Sequence, residues 1–166
     1  MSKYRVALFI GRFQPFHNGH LYSLKKCFEI AEKVIVGVGS SQESETESNP
    51  WDYEIRKKMV ELVMREPILR GSSSQVVAIP DTPSDREWLD VVRQLVPKFD
   101  VVVSNNDWVL SIMQKAGYKT VETGLFNRNE LEGIKIRGLM RIGDRRWKER
   151  VPKEVEKIIF DSQIFR

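Results

Sequence analysis

Residues Ala7–Leu21 read ALFIGRFQPFHNGHL, and this stretch decides both the fold and where to look for chemistry. An apolar run stops at Gly11, an arginine follows, and His17 and His20, the only histidines in the chain, stand three residues apart. A short, continuous apolar run bounded by glycine reads as a strand buried on both faces. After it the period changes: Leu21, Leu24, Phe28 and Ala31 recur at helical spacing and predict a helix over His20–Glu32. The stretch is therefore a strand, a turn and a helix start.

Working outward, apolar β-branched runs recur at RVALFI, KVIVGVG, QVVAIP, DVVVS and YKTVE. Helix-like segments alternate with them. Ile55, Met59, Leu62, Val63 and Glu66 fall on related turns of DYEIRKKMVELVMRE, and Trp88, Val91, Val92 and Leu95 do so over Arg86–Val96. Strand and helix in alternation imply an α/β fold with a doubly wound parallel sheet. Ligands of such sheets bind at the carboxyl ends of the strands. The informative segments are then Gly11–His20, Ser40–Trp51, Pro80–Trp88, Ser104–Trp108 and the stretch from Leu125 onward.

The totals bound the rest. A chain of 166 residues with 41% apolar and 30% charged residues is read as one domain with one core. No apolar run approaches the roughly 20 residues that span a bilayer, so no membrane association is expected. A single cysteine, Cys27, excludes an internal disulfide and fits a reducing, cytoplasmic setting. The net charge of +4 is local: Lys135–Lys153 carries +6 and the remainder −2. A protein that tracks a nucleic-acid backbone usually has a broader basic face. A compact cluster suits a compact polyanion such as a triphosphate, and no nucleic-acid partner is expected.

Three readings compete for the histidine pair. Zinc would need further Cys or His ligands, of which one cysteine remains, or a carboxylate to complete an open site. A plain helix start would leave one ring packed and the other in water, but it leaves Gly11, Arg12 and Gln14 unexplained. A phosphate site uses the unpaired N–H groups and dipole of the helix N-terminus, with the upstream arginine beside it. The phosphate reading accounts for most of the stretch and is preferred, and no metal site is assigned to protein side chains.

The segment GRFQPFHNGH resembles the signature of the HxGH nucleotidyltransferases, in the form carried by archaeal-type nicotinamide-mononucleotide adenylyltransferases. The likeness continues through GSSQ, TESNPW, IPDTPSDREW, FDVVVSNND and GLFNR, in order, from Lys3 to Pro152. It implies a Rossmann-like fold in one nucleotidyltransferase domain over 1–166, its C-terminal part (about 133–166) basic and helical. It further implies a homo-oligomer that converts ATP and nicotinamide mononucleotide into NAD and pyrophosphate, with Mg²⁺ accompanying ATP. By the same resemblance Ile10, Gly11, Arg12, Phe13, His17, His20, Gly133 and Arg137 would bind ATP. Arg12, His17, His20 and Arg137 would be catalytic, and Gly11 would let the backbone approach the nucleotide. Ser40, Ser41, Trp88, Asn105, Phe126 and Arg128 would bind the acceptor, with Trp88 stacking on its pyridinium ring. Read from the residues alone, Trp88 fits core packing and Asn105 fits an Asx turn or helix cap.

The chain departs from the pattern twice. Thr46-Glu47-Ser48 stands where a basic residue is usual, and the acidic run Glu43, Glu45, Glu47 reads as a solvated lid. Glu132-Gly133-Ile134-Lys135-Ile136-Arg137 stands where Ser-Gly-Thr-x-x-Arg is usual, so Arg137 is kept and both hydroxyls are lost. Two other functions remain open: a nucleotidyltransferase with another phosphate acceptor, and a non-catalytic nucleotide- or RNA-binding module.

Overall fold

The computed structural model describes residues 3–69, 73–124 and 126–165. Five strands, β1 Tyr4–Gly11, β2 Ala31–Val38, β3 Ser73–Ala78, β4 Val101–Val103 and β5 Lys119–Val121, form one parallel sheet ordered β3-β2-β1-β4-β5. The helices are α1 Asn18–Ile30, α2 Tyr53–Met64, α3 Asp85–Leu95, α4 Asp107–Lys115, α5 Gly133–Arg141 and α6 Lys153–Ser162. A 3₁₀ turn, Arg145–Arg150, joins the last two. Each of the five apolar runs is a strand, and the α/β fold is the one expected. Among the described residues no helix is long and apolar enough to cross a membrane.

The central strand shows why its apolar run had no gaps. Ala7 and Phe9 belong to a core shared with Leu24 and Cys27 of α1, Met59 and Val63 of α2, Ile136 of α5 and Ile158 of α6. Leu8 and Ile10 belong to a second core with Trp88 and Val92 of α3 and Val109 and Met113 of α4. Alternate side chains of a strand point to opposite faces, so helices on both sides require apolar residues at every position.

Two helix expectations are shifted. The first helix ends at Ile30 and not at Glu32: Ala31 is already extended (φ −135°, ψ 150°) and pairs with Tyr4, opening β2 with no loop between. In α2 the buried stripe is Arg56, Met59, Val60 and Val63, rotated from the expected one, while Ile55, Leu62 and Glu66 are half-buried. An arginine thus occupies a core position.

After β1 the chain winds outward through β2 and β3, then crosses back to β4 beside β1. The connections leaving β1 and β4 therefore run to opposite faces of the sheet, and a crevice opens between their carboxyl ends. Leu8, fully buried in β1, anchors this arrangement. Leu8→Ala is expected to cost about 2–5 kcal/mol of stability, read from the urea midpoint; a loss below that range would mean that the centre of the sheet can collapse onto the gap.

Candidate active site

A cleft of about 530 Å³ lies at this switch point, walled by the β1 exit (Ile10 to Gln14), the α1 start, the β4 exit (Ser104 to Asn106) and the α5 start. The first turn builds its floor. His17 is the N-cap of α1 (φ −135°), and its Nδ1 accepts hydrogen bonds from the N–H groups of Gly19 (3.1 Å) and His20 (3.3 Å). His20 Nδ1 in turn accepts from the His17 N–H (3.2 Å), and the rings stack with centroids 3.7 Å apart. This is a capping box made by two imidazoles. A Cβ at Gly19 would sit 2.9 Å from the His17 ring, so the glycine between the histidines is required by the cap itself.

The cap also settles the chemistry of the rings. Burial pushes the His17 imidazole from its usual 6.5 down to about 4, against a smaller upward pull from the Glu132 carboxylate. His20, enclosed by the Phe13 and Phe16 rings, is held well below 6.5 by burial and then by the neighbouring His17. Both rings are neutral at pH 7. With each Nδ1 accepting, each proton must sit on Nε2, and neither Nε2 has a protein acceptor among the described residues. The cleft floor therefore carries two neutral N–H donors.

Arg12 leaves the floor exposed on the cleft wall, and Phe13 behind it is buried with φ +54°. A Cβ at Gly11 would meet the Phe13 ring at 2.9 Å, so the glycine accommodates an aromatic of its own turn.

Across the cleft, α5 begins at Gly133, with Glu132 as N-cap but without a side-chain capping bond. The Glu132 carboxylate, on the cleft wall, pairs with Arg128 (2.9 Å) and Lys135 (3.5 Å). The N–H groups of Gly133 and Ile134, both on the cleft wall, have no protein acceptor among the described residues. Arg137 is 5% exposed; its Nη1 donates to Gln14 O (2.6 Å) and its Nε to Glu47 O (3.2 Å), leaving Nη2 for the cleft. Its guanidinium lies so close that a Cβ on Gly133 would meet Nη1 at 2.9 Å. The Arg137 guanidinium is thus partly engaged with backbone.

The structure brings Ile10, Gly11, Arg12, Phe13, His17, His20, Gly133, Arg137, Asn105, Phe126 and Arg128 to one cleft. Within it Asn105 is a strut: its Nδ2 donates to Thr123 Oγ1 (3.1 Å) and Gly124 O (3.1 Å), while Asn106 caps α4. Phe126 stacks on Tyr22. Three expected residues are elsewhere. Ser40 and Ser41 do not line the cleft, and Ser40 Oγ donates to Asp81 (3.2 Å). Trp88 is 2% exposed and packs against Trp108 at 4.8 Å, the core position that its helical spacing allows. Leu125 lies outside the described residues. The acidic loop is more than a solvated lid, since Glu47 pairs with Arg141 (3.1 Å) and its carbonyl holds both Arg137 and Arg141. Of the eight basic residues in Lys135–Lys153, only Arg137 lines the cleft. Arg141, Arg146 and Lys148 are committed to carboxylates.

The residue that the sequence reading missed is Arg56. It is fully buried, and its guanidinium lies between the β1 and β2 exits. The available signal was a charge on the apolar stripe of α2, three residues before Met59. Among the described residues, no carboxylate forms an ion pair with Arg12, Arg56 or Arg137.

Arginines without carboxylate partners, free helix-start N–H groups and neutral imidazole donors surround one switch-point crevice of an α/β fold, the kind of donor set that suits an anion. The sequence profile of the cytidylyltransferase-like family matches residues 8–155. A nicotinamide-nucleotide adenylyltransferase of Thermococcus sibiricus is 40% identical over 152 residues, 92% of this chain and 81% of that protein. One of Ignicoccus hospitalis is 36% identical over 160 residues, 96% and 94%. A bifunctional NMN adenylyltransferase/ADP ribose pyrophosphatase of Francisella tularensis, solved with AMP and a manganese ion, has the same fold (TM-score 0.79, 20% identity). The match takes in 98% of this chain and about half of that one. The chain belongs to the cytidylyltransferase-like family, among its archaeal nicotinamide-nucleotide adenylyltransferases.

The histidine cap carries a pH signature. An imidazole depressed in the fold binds its proton first in the unfolded chain, so stability is full above the unfolded value and falls as pH drops from 6.5 towards 4. For His17 the loss is on the order of 3 kcal/mol. His17→Asn keeps a capping acceptor that does not titrate, and should flatten the fall of Tm across this window. Parallel Tm–pH curves for the two proteins would mean that His17 is not held neutral.

Proposed function

We propose that the protein transfers the AMP moiety of ATP to the phosphate of nicotinamide mononucleotide, releasing pyrophosphate and NAD. The observation that carries this reading is the cluster of donors without carboxylate partners at the cleft: Arg12, Arg137 Nη2, two imidazole Nε2–H groups and the N–H groups of Gly133 and Ile134. An acceptor phosphate oxygen attacks the α-phosphorus of ATP, the new P–O bond forms, and the bond to the bridging oxygen breaks. No proton has to move and no covalent enzyme intermediate is required. The protein's task is to hold two anions together and stabilise the charge gathering on pyrophosphate, which donors fixed in place do without reorganising.

The roles follow from position. His17 and His20 meet the phosphates as neutral donors, so they attract developing negative charge without binding the ground-state anion as tightly as a cation would. Arg12 and Arg137 supply the full charges. Asn105, Phe126 and Arg128 line the acceptor side. Magnesium would enter on the triphosphate, where it neutralises charge. Among the described residues no cluster of three ligating side chains exists to hold it independently. The carboxylate on the cleft wall, Glu132, is engaged by Arg128 and Lys135.

The direct test is NAD formation from ATP, Mg²⁺ and nicotinamide mononucleotide. Pyrophosphate release with other phosphate acceptors serves as the comparison, and no release with nicotinamide mononucleotide would refute the assignment. Within that assay His20→Ala should lower kcat by about tenfold or more with the fold intact. Normal turnover would remove His20 from the phosphate site.

Acceptor stacking on Trp88 is also part of this reading, and it requires the Trp108 ring to swing away from the Trp88 face. Trp88→Leu retains apolar volume and removes the aromatic face. The acceptor KM should rise by a factor consistent with about 1–3 kcal/mol of lost stacking, with little change for ATP. A lower Tm with both KM values unchanged would leave Trp88 as a core residue alone.

A further inference from the structure

We propose that Arg56 is a positioning residue for the nucleotide cradle, holding the turns after β1 and β2 at a fixed separation and supplying a buried positive charge beneath the phosphates. The proposal rests on the nucleotide-binding function above. Its starting point is a side chain with 0% exposure and five backbone contacts. Nε donates to Asp52 O (3.2 Å), and Nη1 donates to Arg12 O (3.0 Å) and Gly39 O (2.8 Å). Nη2 donates to Ser40 O (3.0 Å) and Glu43 O (3.3 Å). Arg12 opens the turn that leaves β1, and Gly39 to Glu43 form the turn that leaves β2. One planar group thereby pins both strand exits to the first turn of α2.

The geometry is specific to guanidinium. Its five N–H vectors are fixed in one plane and reach carbonyls on three segments at once, whereas a lysine ammonium presents its donors from a single point. Since the Arg12 carbonyl accepts from Arg56 Nη1, the backbone from which the Arg12 side chain rises is set by this contact.

The charge argues for more than packing. Burying a cation is costly unless it is paired, and here every acceptor is a neutral carbonyl. Asp52 and Asp81 attract the guanidinium from a distance while Arg12 repels it. A side chain needed only to close two turns would have no reason to bring a second positive charge next to Arg12. An incoming polyanion satisfies both.

The test uses the full chain with Arg56→Met and Arg56→Lys, followed by Tm, Mg-ATP titration, kcat and both KM values. Arg56→Met should lose roughly a hundredfold in kcat from misplaced donors, with weakened ATP binding. Added guanidinium should restore part of both, and methylammonium should restore neither; Arg56→Lys should fall between Arg56→Met and wild type. Unchanged kcat and ATP affinity in a folded variant would overturn the proposal, as would guanidinium rescue of Tm without turnover. If Arg56→Met does not fold, Arg56→Lys decides by the same readouts. If the wild-type protein makes no NAD, the ATP titration still decides. Weakened affinity in Arg56→Lys would support the cradle while the acceptor assignment fails, and unchanged affinity would overturn the cradle itself.

Discussion

Each histidine ring gives its Nδ1 lone pair to backbone N–H at the start of α1, and the site depends on that reciprocal cap. It satisfies the N–H groups at the start of α1, and it fixes both tautomers. It also sets the stacked pair at the mouth of the central strand, where the Phe13 and Phe16 rings pack against His20. Burial then keeps the rings neutral. A Ser-x-x-Glu box would cap the helix equally well, but it would place a carboxylate at the cleft floor. Two imidazoles cap the helix and face the cleft with N–H donors.

Around this neutral floor the positive charge is divided by depth. Arg12 is exposed, Arg137 is nearly buried, and Arg56 is wholly enclosed behind the wall. The hydrogen bonds of Arg56 and Arg137 go to carbonyl groups, which orient a guanidinium without cancelling its charge. The acidic side chains nearby are occupied elsewhere: Glu132 by Arg128 and Lys135, and Glu47 by Arg141. The one carboxylate on the cleft wall among the described residues, Glu132, is thus neutralised by Arg128 and Lys135, while most of the C-terminal basic segment does not reach the cleft.

What the sequence discloses follows from the range of the interactions involved. The strands are legible because burial on both faces erases the polar alternation. The turn at Gly11–His20 is legible because its partners lie within a few residues, as in the bonds from Gly19 and His20 to His17. Arg56 is not, because its contacts with Arg12 and Gly39 span 44 and 17 residues. From sequence it is one more basic residue on an amphipathic helix. Trp88 is ambiguous for a related reason: its helical spacing gives burial, but only the fold supplies Trp108 as its neighbour. Asn105 and Asn106 are adjacent and chemically identical, and tertiary geometry alone makes one a strut to Thr123 and the other a helix cap.

The two departures from the resembled pattern have a common physical resolution. At α5 the missing hydroxyls leave the N–H groups of Gly133 and Ile134, and the glutamate that replaces the serine is paired with Arg128 and Lys135. At the acidic loop the missing basic residue leaves the Glu47 carbonyl, which accepts from Arg137 and Arg141 and draws the loop to the cleft edge. In both places main-chain groups stand where side chains are usual, and they are insensitive to residue identity as long as the turn keeps its path. That path depends on close approaches. A Cβ at Gly133 would meet both the Arg137 guanidinium and the Gln14 carbonyl at 2.9 Å. Gln14 in turn exchanges hydrogen bonds with the Trp51 backbone in both directions (2.7 and 3.1 Å), tying the β1 exit to the loop that carries Glu47. Gly133, Gln14 and Arg137 thus hold the backbone donors and acceptors of both segments in place.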